Sequence, residues 1–418
     1  MAKIRPISGF PEWLPEQRLV EQRVLDGLRS RFELFGFAPV ETRSVELLET
    51  LLAKGETDKE IYALRRLADS EGSGDAGFGL HYDLTVPFAR YAVQNYNELT
   101  FPFKRYQIQK AWRGERPQEG RYREFLQADI DVIDRGSLAL SFDAEIPWLV
   151  HEALAGLPFP PVTIHINNRK ITEGFMRGLG VAEDALVPAM RVLDKLDKVG
   201  PDGVRAMLTD LDARVVEKLL ALASLRSASV ADVRALGVAH ELLDQGLEEL
   251  AFVMADAPAG AVVADMAIVR GFDYYTGTVY EGVMEGHEAL GAVCSGGRYD
   301  NLAAGAREPL PGVGISIGVS RILGRLFGQG LMPAGRKSPT VVLVAAVGSG
   351  GREVLRALRS RGIPSEAYHE PAKLGKQMKY ANDKGIPYVW LPFEDGHVVR
   401  DMASGDQEPA DAGAWTPG

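Results

Sequence analysis

The chain has 418 residues, 46% of them apolar and 25% charged, with a formal net charge of −10. That length predicts two or three domains with true cores, and the acidic balance argues against a general nucleic-acid coat protein. A single cysteine, Cys294, excludes an internal disulfide and a thiolate metal cage; with no run of about 18 apolar residues and no signal-peptide core in MAKIRPISGFPEW, the expected setting is cytoplasmic, with no membrane contact.

Residues 16–37 read as an amphipathic helix, because Leu19, Val20, Val24, Leu28 and Phe32 recur at helical spacing and Gly36 is a stop. Pro39 opens an extended segment, and residues 44–54 read as a second helix. The Gly/Ser-rich stretch 70–79 reads as a loop. It leads into HYDLTVPFARYAVQN, extended at first and helical near Pro87. KRYQIQKAWR (104–113) and REFLQADIDVI (123–133) both alternate, which predicts a long-looped antiparallel hairpin. On the second strand Leu126, Ala128, Ile130 and Val132 share one face, and Phe125, Gln127, Asp129 and Asp131 the other. The polar face is either a solvated outer surface or the floor of a ligand site.

Residues 169–255 are rich in Ala, Leu, Asp, Lys and Arg with several helical periods, and read as a helical insertion. A strand is predicted over 261–269, and PGVGISIGVSRILGRL (311–326) reads as strand, turn and helix. Residues 329–339 serve as a linker. From 340 the pattern is strand, helix, strand, helix, strand, a small α/β domain, with GDQEPADAGAWTPG (405–418) expected to fray. The predicted partition is therefore 1–168, 169–255, 256–328, 329–339 and 340–418.

The seven histidines are scattered and none has a metal-ligand spacing, so no protein-ligated metal is expected. Residues 104–123 carry seven Lys and Arg against Glu115 and Glu119, an anion-binding signal inside an acidic chain. Arg113 suits a phosphate or carboxylate clamp because a guanidinium offers a planar fork of donors. Asp83 before Thr85 fits an ammonium site or an ordinary helix cap. VRGFDYYTG (269–277) sets Arg270, Tyr274 and Tyr275 close together, either as a hairpin edge or as a pocket for an anion and a polar aromatic group. In SGGRYDNL (295–302), Gly296 and Gly297 allow close backbone approach or simply a turn. Four arginines on separate segments, 113, 121, 270 and 321, would suit a triphosphate.

The hairpin, taken with VRGFDYYTGTVYE, SGGRYDNL and GVGISIGVSRIL, resembles the histidyl-tRNA synthetases, a family of class II aminoacyl-tRNA synthetases. The tail AKLGKQMKYANDKGIPYVWL resembles that family's anticodon-binding domain, so the resemblance covers essentially the whole chain in order. It implies an α+β fold: an antiparallel sheet flanked by helices, a helical insertion and a C-terminal α/β domain. It implies a homodimer formed through the 16–40 unit. It also implies activation of L-histidine by ATP with Mg²⁺, and transfer of histidine to the terminal ribose of tRNA(His). Carried over by residue, Arg113 looks like the contact to the ATP α-phosphate, Glu115 the adenine-side residue, Arg121 a triphosphate contact, Phe125 the ring on adenine and Arg321 the γ-phosphate arginine. Asp83, Thr85 and Gln127 look like the holders of histidine's ammonium and carboxylate ends. Asp131 and Tyr275, with Tyr274 beside them, look like the readers of imidazole, and Arg270 like the catalytic arginine. His81 stands where many members carry arginine. Lys373, Lys376 and Lys379 are either backbone contacts to tRNA or a solvated helix face.

Overall fold

The computed structural model describes residues 5–52, 60–66, 77–269, 275–300, 308–332, 335–347 and 350–418. They fall into two units, one of residues 5–11 and 25–329 and the other of residues 12–24 and 330–418.

In chain order the first part runs α1 (Pro15–Leu34), β1 (Ala38–Pro39), β2 (Val45–Leu47), α2 (Leu48–Leu52), β3 (Ala63–Leu64), β4 (Phe78–Leu80) and α3 (Thr85–Gln94). The hairpin strands β5 (Phe103–Trp112) and β6 (Glu124–Ile133) follow, then α4 (Ser141–Ala155) and β7 (Val162–Asn168). Six helices come next: α5 (Arg169–Gly178), α6 (Glu183–Leu193), α7 (Leu196–Met207), α8 (Ala213–Ala223), α9 (Val230–Arg234) and α10 (Glu241–Ala255). The unit closes with β8 (Val262–Ala264), β9 (Tyr275–Met284), β10 (Cys294–Tyr299), β11 (Gly312–Ile317) and α11 (Val319–Gly328).

Among the described residues, eight strands make one sheet in the order β1-β5-β6-β11-β10-β9-β7-β8. Its six inner strands are antiparallel, and the edge pairs β1–β5 and β7–β8 are parallel. The alternation read from 104–133 sets the register: Gln109 faces Gln127, Gln107 faces Asp129 and Arg105 faces Asp131. Helices α4, α5, α10 and α11 pack against this sheet, over wholly buried residues such as Ala128, Ile130, Val132, Ile164 and Ile166. The polar row is buried as well, with Arg105, Gln107, Asp129 and Asp131 all at 2% exposure or less. That decides between the two readings of this face: it is an internal floor and not a solvated surface.

Two elements differ from expectation. The helix expected over 44–54 begins as strand β2, antiparallel to β4, and turns helical only at Leu48. The alternation of VEL points Glu46 inward, where it is wholly buried and accepts hydrogen bonds from Arg90 Nε (2.9 Å) and Arg43 Nη2 (2.8 Å). The strand expected over 261–269 ends at Ala264, because the Asp265 carboxylate accepts the Ala267 N–H at 2.9 Å and closes a turn.

The second unit carries β12 (Val342–Val344), α12 (Gly351–Ser360), β13 (Ser365–Ala367), α13 (Leu374–Lys384), β14 (Tyr388–Phe393), β15 (Gly396–Asp401) and β16 (Gln407–Pro409), with strand order β13-β12-β14-β15-β16. Val342 and Val344 pack with Leu358 of α12, while Leu343 packs with Ala381 of α13, so both faces of the sheet are covered. The tail expected to fray is ordered into this sheet. Phe393 and Gly396 flank a two-residue turn into β15, which pairs with β16. Trp415 then stands edge-on to Trp390 and Tyr388, with ring centroids 5.8 and 5.1 Å apart. Apolar burial by one late tryptophan outweighs the polar composition around it.

Candidate active site

Two adjoining cavities open over the polar face of the hairpin. The larger, about 1150 Å³, is lined by Arg113, Glu115, Arg121, Phe125 and Arg321 among others. The smaller is lined by Asp83, Thr85, Asp129, Asp131, Tyr275 and Tyr299 among others. Four residues, Arg113, Gln127, Ser295 and Ser316, line both.

The large cavity is basic on the hairpin side. Arg113, just beyond β5, donates from Nε to the Tyr82 carbonyl at 3.0 Å, and its guanidinium carbon lies 5.2 Å from the centre of the Phe125 ring. Glu115 sits between two cations, 3.8 Å from Arg113 and 3.3 Å from Arg121. Arg321, in the first turn of α11, donates to the Leu290 carbonyl. Gly120 in the hairpin loop has φ +68°, and a Cβ there would lie 2.5 Å from Leu290 and 3.2 Å from Arg321. Glycine is needed at that point for the loop to reach α11. The other cations of the 104–123 cluster go elsewhere. Lys104 pairs with Glu145 at 2.7 Å, Lys110 with Glu124 at 2.5 Å, and Arg105 lies under the floor.

The small cavity is acidic. Asp83 makes the helix cap, one of the two alternatives for its sequence position. Its Oδ1 accepts the Val86 N–H at 3.1 Å, capping α3, while its buried Oδ2 has no hydrogen-bond partner among the described residues. Burial raises its carboxyl to about 6, against the pull of the Val86 N–H and of Arg113 and Arg105. Asp131 accepts the Tyr299 hydroxyl on Oδ1 at 2.7 Å, and its Oδ2 lies 2.6 Å from Arg105 Nη2. Burial raises it to about 6 even so, with Arg105 opposing. Asp129, buried in the same row, is raised by burial to about 7. Gly314 is what lets β11 pass: a Cβ there would lie 2.3 Å from Asp131 Oδ1.

The described site residues Asp83, Thr85, Arg113, Glu115, Arg121, Phe125, Gln127, Asp131, Tyr275 and Arg321 thus all line one or other of these two cavities. Arg270 and Tyr274 lie outside the described residues. His81 is wholly buried beneath β5, its Nε2 2.7 Å from the Lys110 carbonyl and its ring 5.4 Å from Trp112. Burial lowers its pKa, so the ring packs as a neutral group. Arg105, Tyr299 and Ser316 were not singled out from sequence. Arg105 and Ser316 sat in alternating strands whose partners are set only by the sheet register, and Tyr299 sat in a segment noted for its glycines.

A family model described as Histidyl-tRNA synthetase matches residues 9–322. A curated protein of Thermobifida fusca, "Histidine--tRNA ligase", is 52% identical over 98% of this chain and 97% of its own length. One of the same name from Cutibacterium acnes is 50% identical over 100% of this chain and 97% of its own. The crystal structure of histidyl-tRNA synthetase from Nostoc sp. PCC 7120 superposes with a TM-score of 0.88 at 33% identity, covering 99% of this chain and 98% of that one.

Proposed function

This chain belongs to the histidyl-tRNA synthetase family, the enzymes that ligate histidine to tRNA, and we propose that its small cavity takes L-histidine and its large cavity takes Mg·ATP. The observation that carries this reading is the shared wall: Arg113 and Gln127 line both cavities, at the point where an amino-acid carboxylate would meet an α-phosphate. One carboxylate oxygen of histidine attacks the α-phosphorus, the bond to the β-phosphate oxygen breaks, and pyrophosphate leaves. Arg113 stabilises the charge that builds on phosphorus, an electrostatic contribution that needs no proton transfer. Arg121 and Arg321 hold the outer phosphates, Phe125 stacks on adenine with Glu115 near its edge, and Arg270 supplies a second guanidinium at the reacting centre. The magnesium ion arrives with ATP, held chiefly by phosphate oxygens and water. In the second step the terminal ribose hydroxyl of tRNA(His) attacks the carbonyl carbon and AMP leaves.

The acidic pocket supports histidine as the amino acid. Asp83 Oδ2 and Gln127 Oε1 are both buried and lack a partner among the described residues. With Thr85 they suit the three donors of an ammonium group. Asp131 and Tyr275 with Tyr274 then address the two imidazole nitrogens, one a donor and one an acceptor in the neutral ring. Tyr299 and Arg105 hold Asp131 from behind.

The reading extends to a cytoplasmic homodimer in which residues 340–418 bind the anticodon. The exposed two-residue edge strand β1 supports the dimer. Among the described residues, no helix is long and apolar enough to cross a membrane. Histidine-dependent ATP–pyrophosphate exchange tests the cavity assignment, and sedimentation tests the dimer. Exchange in which Asp131→Ala raised KM for ATP as much as KM for histidine would remove the division between the cavities.

A further inference from the structure

The small cavity contains a hydrogen-bond chain that none of its expected contacts accounts for. Gln127 Nε2 donates to Ser316 Oγ at 2.7 Å, and Ser316 donates in turn to Asp129 Oδ1. Asp129 and Ser316 face one another across β6 and β11, in register, and Asp129 is 2% exposed. A serine hydroxyl has one proton to give. Above its raised pKa of about 7, Asp129 is a carboxylate that can only accept, so it takes the Ser316 hydrogen bond and leaves the Ser316 oxygen as an acceptor. Only the NH₂ end of the Gln127 amide satisfies it. The amide is thereby fixed in one of its two orientations, with Oε1 left as a buried acceptor that has no partner among the described residues.

We propose that Ser316 and Asp129 are positioning residues that lock the Gln127 carbonyl toward the small cavity and so make the site select for the amino group of its substrate. The proposal rests on the small cavity being the histidine site. Without the chain, Gln127 turns freely. Half its orientations then direct an NH₂ group at an ammonium, a donor facing a donor, and discrimination falls. A site built on a fixed buried acceptor rejects ligands that cannot donate to it.

The test uses two competitive inhibitors of histidine-dependent ATP–pyrophosphate exchange in the full-length protein. Histidinol keeps the ammonium and imidazole; 3-(imidazol-4-yl)propionate lacks the ammonium. The unmodified protein is expected to favour histidinol. Ser316→Ala and Asp129→Ala, which removes the acceptor, are each expected to reduce that preference about tenfold, to raise KM for histidine and to leave KM for ATP unchanged. Because one chain is broken in either case, the double variant is expected to go no further than the singles. Variants that keep the unmodified preference, or that lose histidine and ATP affinity together, overturn the relay. Absence of any histidine-dependent exchange in the unmodified protein overturns the functional reading instead, and the relay with it.

Discussion

Three buried aspartates and one buried arginine meet under the hairpin, and their titration gives a residue-scale prediction. Asp129 faces Arg105, Asp131, Asp83 and Ser316, and burial holds its folded pKa at about 7, well above its ordinary value of 3.8. A raised carboxyl pKa contributes stability that is full below the ordinary value and is lost as pH rises through the folded one. The unmodified protein should therefore lose stability relative to Asp129→Asn between pH 5 and pH 8, read as the difference in urea midpoint. A constant difference across that range would mean that burial does not raise the Asp129 carboxyl as described. At the reacting centre, Arg113→Ala should lower histidine-dependent exchange about 10²–10³-fold, the usual loss for one transition-state donor. Steady-state rates at saturating ATP and histidine check this; a loss under fivefold would take Arg113 out of the role. Gln127 and Asp131 were legible as members of one polar face because their strand alternates, and Arg113 as an anion clamp by its guanidinium, but alternation left that face open between solvent and a ligand, and their individual roles come from the family resemblance. Ser316 was not, since its importance comes from the register between β6 and β11, 187 residues apart at the Ser316–Asp129 bond, and no local pattern encodes that.

Element boundaries follow the same division between local and distant causes. The hairpin β5–β6, the α1 stripe and the strand-turn-helix of β11–α11 each declare themselves by periodicity. Strand β2 does not, because the buried Glu46 in it is held in part by the distant Arg90 of α3. The last strands were misjudged for a related reason: a stretch of Asp, Gly, Pro and Ala reads as unstructured, yet Trp415 ties it to Trp390 and Tyr388. Aromatic pairs of this edge-on kind add about 0.5–1.5 kcal/mol beyond area burial. Trp415→Ala should accordingly destabilise the C-terminal unit by about 2 kcal/mol, seen as an earlier denaturant transition in the fluorescence of that unit, while pyrophosphate exchange at 25 °C stays unchanged. An unchanged transition would return the tail to a frayed segment.

At the scale of the whole molecule, the proposed reading separates activation, at the two cavities, from tRNA recognition by residues 340–418. Lys373 and Lys379 are exposed on and beside α13, and Lys376 is held by Glu370 at 2.8 Å. Replacing Lys373 and Lys379 with alanine should raise KM for tRNA and weaken its salt dependence, with exchange unaffected; an equal effect on both reactions would contradict that separation. The chain's net charge of −10 coexists with an arginine cluster on the hairpin side of the large cavity because folding gathers Arg113 and Arg121 of the hairpin with Arg321 of α11, while carboxylates such as Asp194, Asp197, Asp265 and Glu281 line the rest of it. The measurement that bears most directly on the central claim is ATP–pyrophosphate exchange run with each of the twenty amino acids, with Mg²⁺ and without tRNA. Exchange with histidine alone is the predicted result. A folded protein that exchanges with no amino acid, or with several equally well, would contradict the assignment of the acidic pocket to histidine.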